Sequence, residues 1–177
     1  MKVQPVTGSQ SEDRKRTAKP FSGKIVKKVW IKASKNVVFN ALTESKELVH
    51  WFCDRASLDP REGGELTAYW RGDKTGQKGR AVITRILPDV TLELLWLEDG
   101  MAEQEPNTSH TLCYEIRSKS GMTELVMTDK ADSPSDDEAM AILDQGWNSV
   151  LLELKDYCER RERSAKVRPH SRSGQES

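Results

Sequence analysis

The chain has 177 residues and 20.0 kDa, with 28 basic and 28 acidic side chains, a size that suits one domain with flanking segments. The zero net charge is an average: residues 1–22 and 161–177 each carry five basic and two acidic groups, so residues 23–160 carry an acidic excess of six, which argues against a dedicated nucleic-acid-binding domain. No stretch approaches the roughly 20 apolar residues needed to span a bilayer, and three widely spaced cysteines, Cys53, Cys113 and Cys158, with no CxxC pair, argue against a disulfide framework or a zinc site and suit reduced thiols in the cytoplasm.

Residues 1–22 and 161–177 are rich in Ser, Lys, Arg, Gln and Pro without apolar periodicity, the composition of disorder. The N-terminal stretch has no continuous apolar run of the secretory kind. A strand is predicted over residues 24–32, with Ile25, Val29 and Ile31 on one face. Ser34 is positioned to cap a helix to Thr43 carrying Val37, Val38, Ala41 and Leu42 at helical spacing. Ser45 is expected to cap a second short helix with Leu48, Val49, Trp51 and Phe52.

A meander follows. Strands are expected over 53–58 and 65–70, joined by Asp59-Pro-Arg-Glu-Gly-Gly64, where Pro60 fixes φ and Gly63 and Gly64 are permissive. Leu66, Ala68 and Trp70 share a face. A polar turn, 72–79, leads to a hairpin of strands 79–87 and 91–97 around Pro88-Asp89, with Val82, Thr84 and Ile86 facing Leu92, Leu94 and Trp96. An acidic loop, 98–107, precedes strands 110–117 and 122–129 around Lys119-Ser-Gly121.

The last element has the strongest pattern. Ser135-Asp-Asp-Glu138 fits a capping box behind Pro134, and Met140, Leu143, Trp147, Val150, Leu151, Leu154 and Tyr157 form a helical stripe of about six turns. Gly146 interrupts it at a cost of about 1 kcal/mol relative to alanine, and its place on the stripe predicts a close approach to the sheet or to something held against it.

The segments Ala33-Ser34, Val38-Phe39-Asn40-Ala41-Leu42-Thr43, Glu47-Leu48-Val49-His50-Trp51-Phe52, Asp59–Gly64, Gly79-Arg-Ala-Val-Ile83, Leu95-Trp96, Gly146-Trp147 and the Leu-x-x-Leu-Lys-Asp-Tyr ending at Tyr157 carry a resemblance. Together, over about residues 24–160, they resemble the START-like (SRPBCC, Bet v 1-like) superfamily. Within it they are most similar to the domain shared with the C-terminal half of activators of the heat-shock protein 90 ATPase. The resemblance implies an α+β helix-grip fold: a curved antiparallel sheet wrapped around a long C-terminal helix, with two short helices after the first strand. It also implies one such domain over 23–160 between disordered basic tails, and a cavity between sheet and helix for a small apolar or amphipathic ligand.

Strand parity puts Leu66, Ala68, Trp70, Thr84, Leu94, Trp96, Leu112 and Tyr114 on the cavity side, with Leu143, Gly146, Trp147 and Val150, beside Met140, closing it. Tryptophan and tyrosine there can both stack on a ligand and orient it. The same residues, Trp51 and Phe52 included, also serve as ordinary core.

The motifs of common catalytic folds (HExxH, GxSxG, Walker loop, GxGxxG after a strand) do not occur. His50 reads as a surface or packing residue, Cys53 as a buried thiol, and His110 as the start of a strand. The inner face is nearly all apolar, Thr84 and Tyr114 being its main polar members, so no cofactor, metal or catalytic residue is assigned. The leading expectation is a non-enzymatic ligand-binding domain. A chaperone-interacting module is the second; the first 22 residues hold no counterpart of the activators' separate N-terminal domain, which the family's stimulation depends on. A small hydrolase or cyclase is the third, and it requires two buried ionisable groups within reach of one substrate. The basic tails lack interleaved aromatics, so no specific nucleic-acid partner is expected.

Overall fold

The computed structural model describes residues 22–70, 77–97, 109–132 and 137–167. Strand β1 (Ser22–Ile31) is followed by helices α1 (Lys35–Thr43) and α2 (Ser45–Leu48). Strands β2 (Arg55–Leu58), β3 (Glu65–Trp70), β4 (Gln77–Leu87), β5 (Thr91–Leu97), β6 (Ser109–Lys119) and β7 (Met122–Asp132) come next, and helix α3 (Asp137–Val167) last. All seven strands form one antiparallel sheet in the order β1-β7-β6-β5-β4-β3-β2. Only the first strand leaves its sequence neighbours, crossing to pair with the last. This is the expected α+β helix-grip architecture.

Local chemistry accounts for the connections. The Ser34 hydroxyl accepts from the Val37 N–H and caps α1. The β6–β7 turn has φ of 53° at Ser120 and 76° at Gly121, the mirror-image turn whose twist matches a hairpin. At the β2–β3 connection Gly63 sits at φ 77°, and a Cβ on Gly64 would lie 2.1 Å from the Asp59 carbonyl oxygen. These two glycines also reach across to β4: Gly63 N donates to Ile83 O and Ile83 N to Gly64 O, both at 2.8 Å.

Several sequence expectations change. Ser45 is not the cap of α2: its hydroxyl accepts from Leu58 N at 2.9 Å, tying α2 to β2. Helix α2 stops at Leu48, and Trp51 and Phe52 follow it in the turn. A β-bulge between Ile83 and Arg85 shifts the register of β4, so the buried face is Ala81 and Ile83, then Ile86, opposite Trp96, Leu94 and Leu92. Thr84 is thereby turned out to solvent, bonded to Glu93. Gly146 is exposed, and a Cβ added there would meet nothing within 4 Å, so it makes no close approach. Helix α3 continues to Val167, seven residues into the tail expected to be disordered. The capping box at 135–138, Met140's packing, the loop 98–107 and the N-terminal tail to residue 21 lie outside the described residues or side chains.

The core lies between the inner face of the sheet and the two helical layers, around Ile31, Val38, Leu66, Ile83, Leu92, Leu112, Leu125, Met127 and Leu154. Helix α3 is covered unevenly. Leu151, Leu154, Tyr157 and Cys158 are buried, whereas Leu143, Trp147 and Val150 are half-buried. Its buried end is held by carboxylates. Glu47 of α2 accepts from the Tyr157 hydroxyl and, in a fork, from Arg161 Nε at 3.1 Å and Nη2 at 3.0 Å. His50 stacks on the Tyr157 ring. Glu162 accepts from Ser34 N and Oγ, both at 3.1 Å, and Glu159 accepts from Lys32 N at 3.0 Å. Burial pushes the Cys158 thiol up to about 12, with Glu47 and Glu159 adding to it.

The two glycines make opposite predictions. Gly64→Ala should lower stability by roughly 1–3 kcal/mol or more, because the new methyl meets backbone that cannot yield, while Gly146→Ala should raise it by up to about 1 kcal/mol; urea titration of both separates them. The Ser34 N–H, with Lys166 and the Ser34 hydroxyl, holds the Glu162 carboxyl below the ordinary value of 4.5 against the effect of burial. Its contribution is therefore complete above that value and disappears as pH falls through the lowered one. Glu162→Gln should be less stable than the parent chain at neutral pH, with the gap closing in acid, read from thermal melts between pH 7 and 3.

Candidate functional site

The strand register assembles a row of rings along the inner face of the sheet. Trp70 of β3, Trp96 of β5 and His110 of β6 all point inward, and Trp96 pairs directly with His110. Phe52, delivered by the turn after α2, meets Trp70 at 5.2 Å edge-on and Trp96 at 6.1 Å. Trp70 and Trp96 lie 6.4 Å apart, and Trp96 stacks on His110 at 6.3 Å and 16°. Gly79 makes room for the row, since a Cβ there would stand 2.8 Å from Trp96 Cζ3 and 3.0 Å from Trp70 Cζ3. The indole N–H of Trp70 donates to Phe52 O and that of Trp51 to Ala41 O, which fixes the approach of the α2 turn.

At the end of this row stands Asp129 of β7, with no solvent exposure. Leu112 is its direct partner on β6, which makes His110 its diagonal neighbour on the same face. His110 Nδ1 lies 2.7 Å from Asp129 Oδ1, and Trp147 Nε1 of α3 donates to Asp129 Oδ2 at 2.8 Å. A buried carboxylate is costly unless its oxygens find donors, and here each oxygen has one. Asp129 therefore joins three elements: β6 through His110, β7 by its own backbone, and α3 through Trp147. Tyr114, beyond Leu112 on the same face of β6, is nearly fully buried; burial first, then the charge of Asp129, pushes its phenol well above the ordinary tyrosine range. With Nδ1 committed to Asp129, the ring nitrogen of His110 left for other partners is Nε2, and 28% of that side chain reaches solvent.

The residues singled out from sequence fall into three groups. Leu66, Ala68, Leu94, Trp96, Leu112 and Tyr114 are buried on the inner face, with Trp70 half-buried beside them. Leu143, Trp147 and Val150 are half-buried along α3. Thr84, turned out at the bulge, and Gly146, with open space around it, face solvent. His110 and Asp129 were read from sequence only as strand residues. Their inward parity, 110 with 112 and 114, and 129 with 125 and 127, was the available signal, but their pairing depends on the β6–β7 register. Two open depressions lie elsewhere: one of about 410 Å³ around the Asp59–Gly64 turn, and one of about 290 Å³ where Lys32–Ser34 meets Glu162 and Lys166. Among the described residues, no group of three His, Cys, Asp or Glu side chains could hold a metal ion, and no helix is long and apolar enough to cross a membrane.

Known proteins agree with this architecture. Residues 32–159 match the family model described as activator of Hsp90 ATPase homolog 1-like protein, and the chain belongs to that family. No curated protein matches it in sequence. Among solved structures, protein MLL2253 from Mesorhizobium loti is 18% identical, with a TM-score of 0.66 over 78% of this chain and 98% of its own. The Aha1 dimer from Colwellia psychrerythraea, solved in solution, is 22% identical, with a TM-score of 0.62 over 77% of this chain and 96% of its own. CalU16 from Micromonospora echinospora is 19% identical, with a TM-score of 0.58 over 80% of this chain and 79% of its own. These three likenesses are of fold.

Trp147→Phe keeps the ring and removes one donor from a fully buried carboxylate. It should lower stability by roughly 1–3 kcal/mol, measured by urea denaturation, and should shift the NMR signals of His110 more than those of His50.

Proposed function

We propose that this member of the activator of Hsp90 ATPase homolog 1-like family binds a small amphipathic molecule between the inner face of its sheet and the first half of α3. The observation that carries the reading is the uneven covering of α3. Its second half is sealed by Leu151, Leu154 and Tyr157, while Leu143, Trp147 and Val150 stay half-buried, and Trp147 reaches the Asp129 carboxylate that also bonds His110 at the end of the aromatic row. Half-covered apolar side chains opposite a row of aromatic rings supply the apolar wall of a ligand site, and the Asp129–His110–Trp147 cluster supplies the few placed polar groups that orient a ligand. The inner-face residues Leu66, Ala68, Leu94, Leu112 and Tyr114 form its floor and at the same time the core. Three free cysteines, two of them buried, support a reducing compartment such as the cytoplasm.

A co-chaperone role is the second reading. It is favoured by the family match over 32–159 and by the fold likeness to Aha1 from Colwellia psychrerythraea. It predicts a complex with a heat-shock protein 90 chaperone in a pull-down and a change in that chaperone's ATPase rate.

Ligand binding is tested with 8-anilinonaphthalene-1-sulfonate followed by NMR. The indole N–H signals of Trp70, Trp96 and Trp147 should move together, with those of Trp30 and Trp51 unaffected. Leu143→Gln, which replaces apolar wall by amide, should weaken binding about tenfold, the equivalent of about 1.4 kcal/mol. Dye fluorescence without movement of those three indoles would count against the site.

A further inference from the structure

The polar cluster at the end of the aromatic row is more elaborate than docking a helix requires. A carboxylate with no exposure spends one oxygen on the Trp147 indole and the other on His110, whose side chain is itself part-exposed and stacked on Trp96. An ionised carboxylate only accepts hydrogen bonds. Holding Nδ1 as the N–H therefore leaves the lone pair of the neutral ring on Nε2. The indole N–H fixes the carboxylate in turn, because it can only donate. The result is an imidazole of set tautomer and orientation, backed by a buried negative charge and placed beside an aromatic platform.

We infer that Asp129 and His110 form an acid–base site: His110 Nε2 accepts the proton of a flat weak acid lying against Trp96, and Asp129 holds the imidazolium that results. This rests on the groove reading above and names the chemistry of its occupant, a planar apolar body with an O–H or N–H that ionises near neutrality. In the transfer the ligand's O–H or N–H bond breaks, its electron pair stays on the ligand atom, and a new N–H bond forms at Nε2. The product is a ligand anion beside imidazolium, with Asp129 facing the Nδ1–H. No other reactant is consumed, and the reverse transfer regenerates the neutral pair. His110 is the group that touches the ligand; Asp129 and Trp147 are positioning residues.

The surrounding charges leave this transfer to the pair. Trp96 faces His110 from β5, Asp129 faces it from β7, and Tyr114 shares its face of β6, its phenol kept protonated. Trp147 comes from α3, and among the described residues the ion pair that joins that helix to β1, Lys27 with Asp144, is closed on itself at 2.7 Å.

The test compares p-nitrophenol with nitrobenzene, which has the same ring and no acidic hydrogen. Both are titrated into the whole chain one pH unit below the solution pKa of nitrophenol, with indole signals reporting occupancy and the 400 nm band reporting nitrophenolate. Nitrobenzene and nitrophenol should both move Trp96 and Trp147, and bound nitrophenol should be ionised to a ratio at least tenfold above that in solution. His110→Gln and Asp129→Asn should abolish this excess, compared with the parent chain at matched occupancy as the indole signals report it. Asparagine can accept from Trp147 and donate to Nδ1, which moves the ring hydrogen to Nε2 and removes the base. In the parent chain, ¹⁵N spectra of the neutral His110 ring should show hydrogen on Nδ1, a readout that needs no variant. Nitrobenzene binding with no excess nitrophenolate, or hydrogen on Nε2 in the parent chain, overturns this inference and leaves the groove reading standing. Failure of both compounds to move the inner-face indoles removes the groove reading, and this inference with it.

Discussion

Asp129 is a charge-bearing side chain placed entirely out of reach of solvent, and the arrangement around it follows from that placement. Its exposure is zero, so its two oxygens must be satisfied from within the protein, and the groups that satisfy them come from different elements. One is a cross-strand neighbour, which requires the β6–β7 hairpin to hold its register. The other is a tryptophan on α3, which requires the helix to cross the sheet at one height and one rotation. A buried carboxylate that loses a donor is penalised far more than a kept pair is rewarded, so the contact acts chiefly by excluding other settings of the helix.

The opposite end of α3 is set by a different device. There the carboxylates of Glu47, Glu159 and Glu162 bridge α3 to α2 and to the N-terminus of α1, using Arg161, the Tyr157 hydroxyl and the free N–H groups at Lys32 and Ser34. Ser34 is the N-cap of α1, where an acidic side chain is favoured by the dipole as well as by hydrogen bonding, and Lys32 lies in the bend between β1 and that helix. Among the described side chains, these bonds and the burial of Leu151, Leu154 and Tyr157 hold the second half of α3, whereas Leu143, Trp147 and Val150 of the first half are half-buried. A ligand site at that end and a rigid anchor at the other are compatible within one continuous helix.

Much of this was legible in residue patterns. Alternation in β1, β3 and β5, the Ser34 cap, the glycine turn and the α3 stripe are local properties, written in the spacing of apolar residues and in backbone preferences. Where the reading went astray, the determining partner was distant. The bulge at Ile83/Arg85 moved Thr84 outward; its neighbour Ile83 exchanges two backbone bonds with Gly63 and Gly64, about 20 residues earlier in the chain. Ser45 left its own helix to meet Leu58. Residues 161–167, polar and without an apolar stripe, are helical where Glu162 and Arg161 find partners on α1 and α2.

The sequence by itself determined the order of the elements and most of the inward-facing side chains, because period and capping are short-range physics, while the helix-grip fold was implied by the resemblance its motifs carry. It also placed Trp70 and Trp96 of the aromatic row on the inner face. What only the tertiary structure decided was that His110, Asp129 and Trp147 meet. The first two are 19 residues apart on neighbouring strands, and the third comes from a separate helix 18 residues further on. Each looks ordinary alone: a histidine near a strand start, an aspartate near a strand end, a tryptophan on an apolar stripe. Their common meaning depends on strand register and helix height, which are set by the summed packing of the whole sheet.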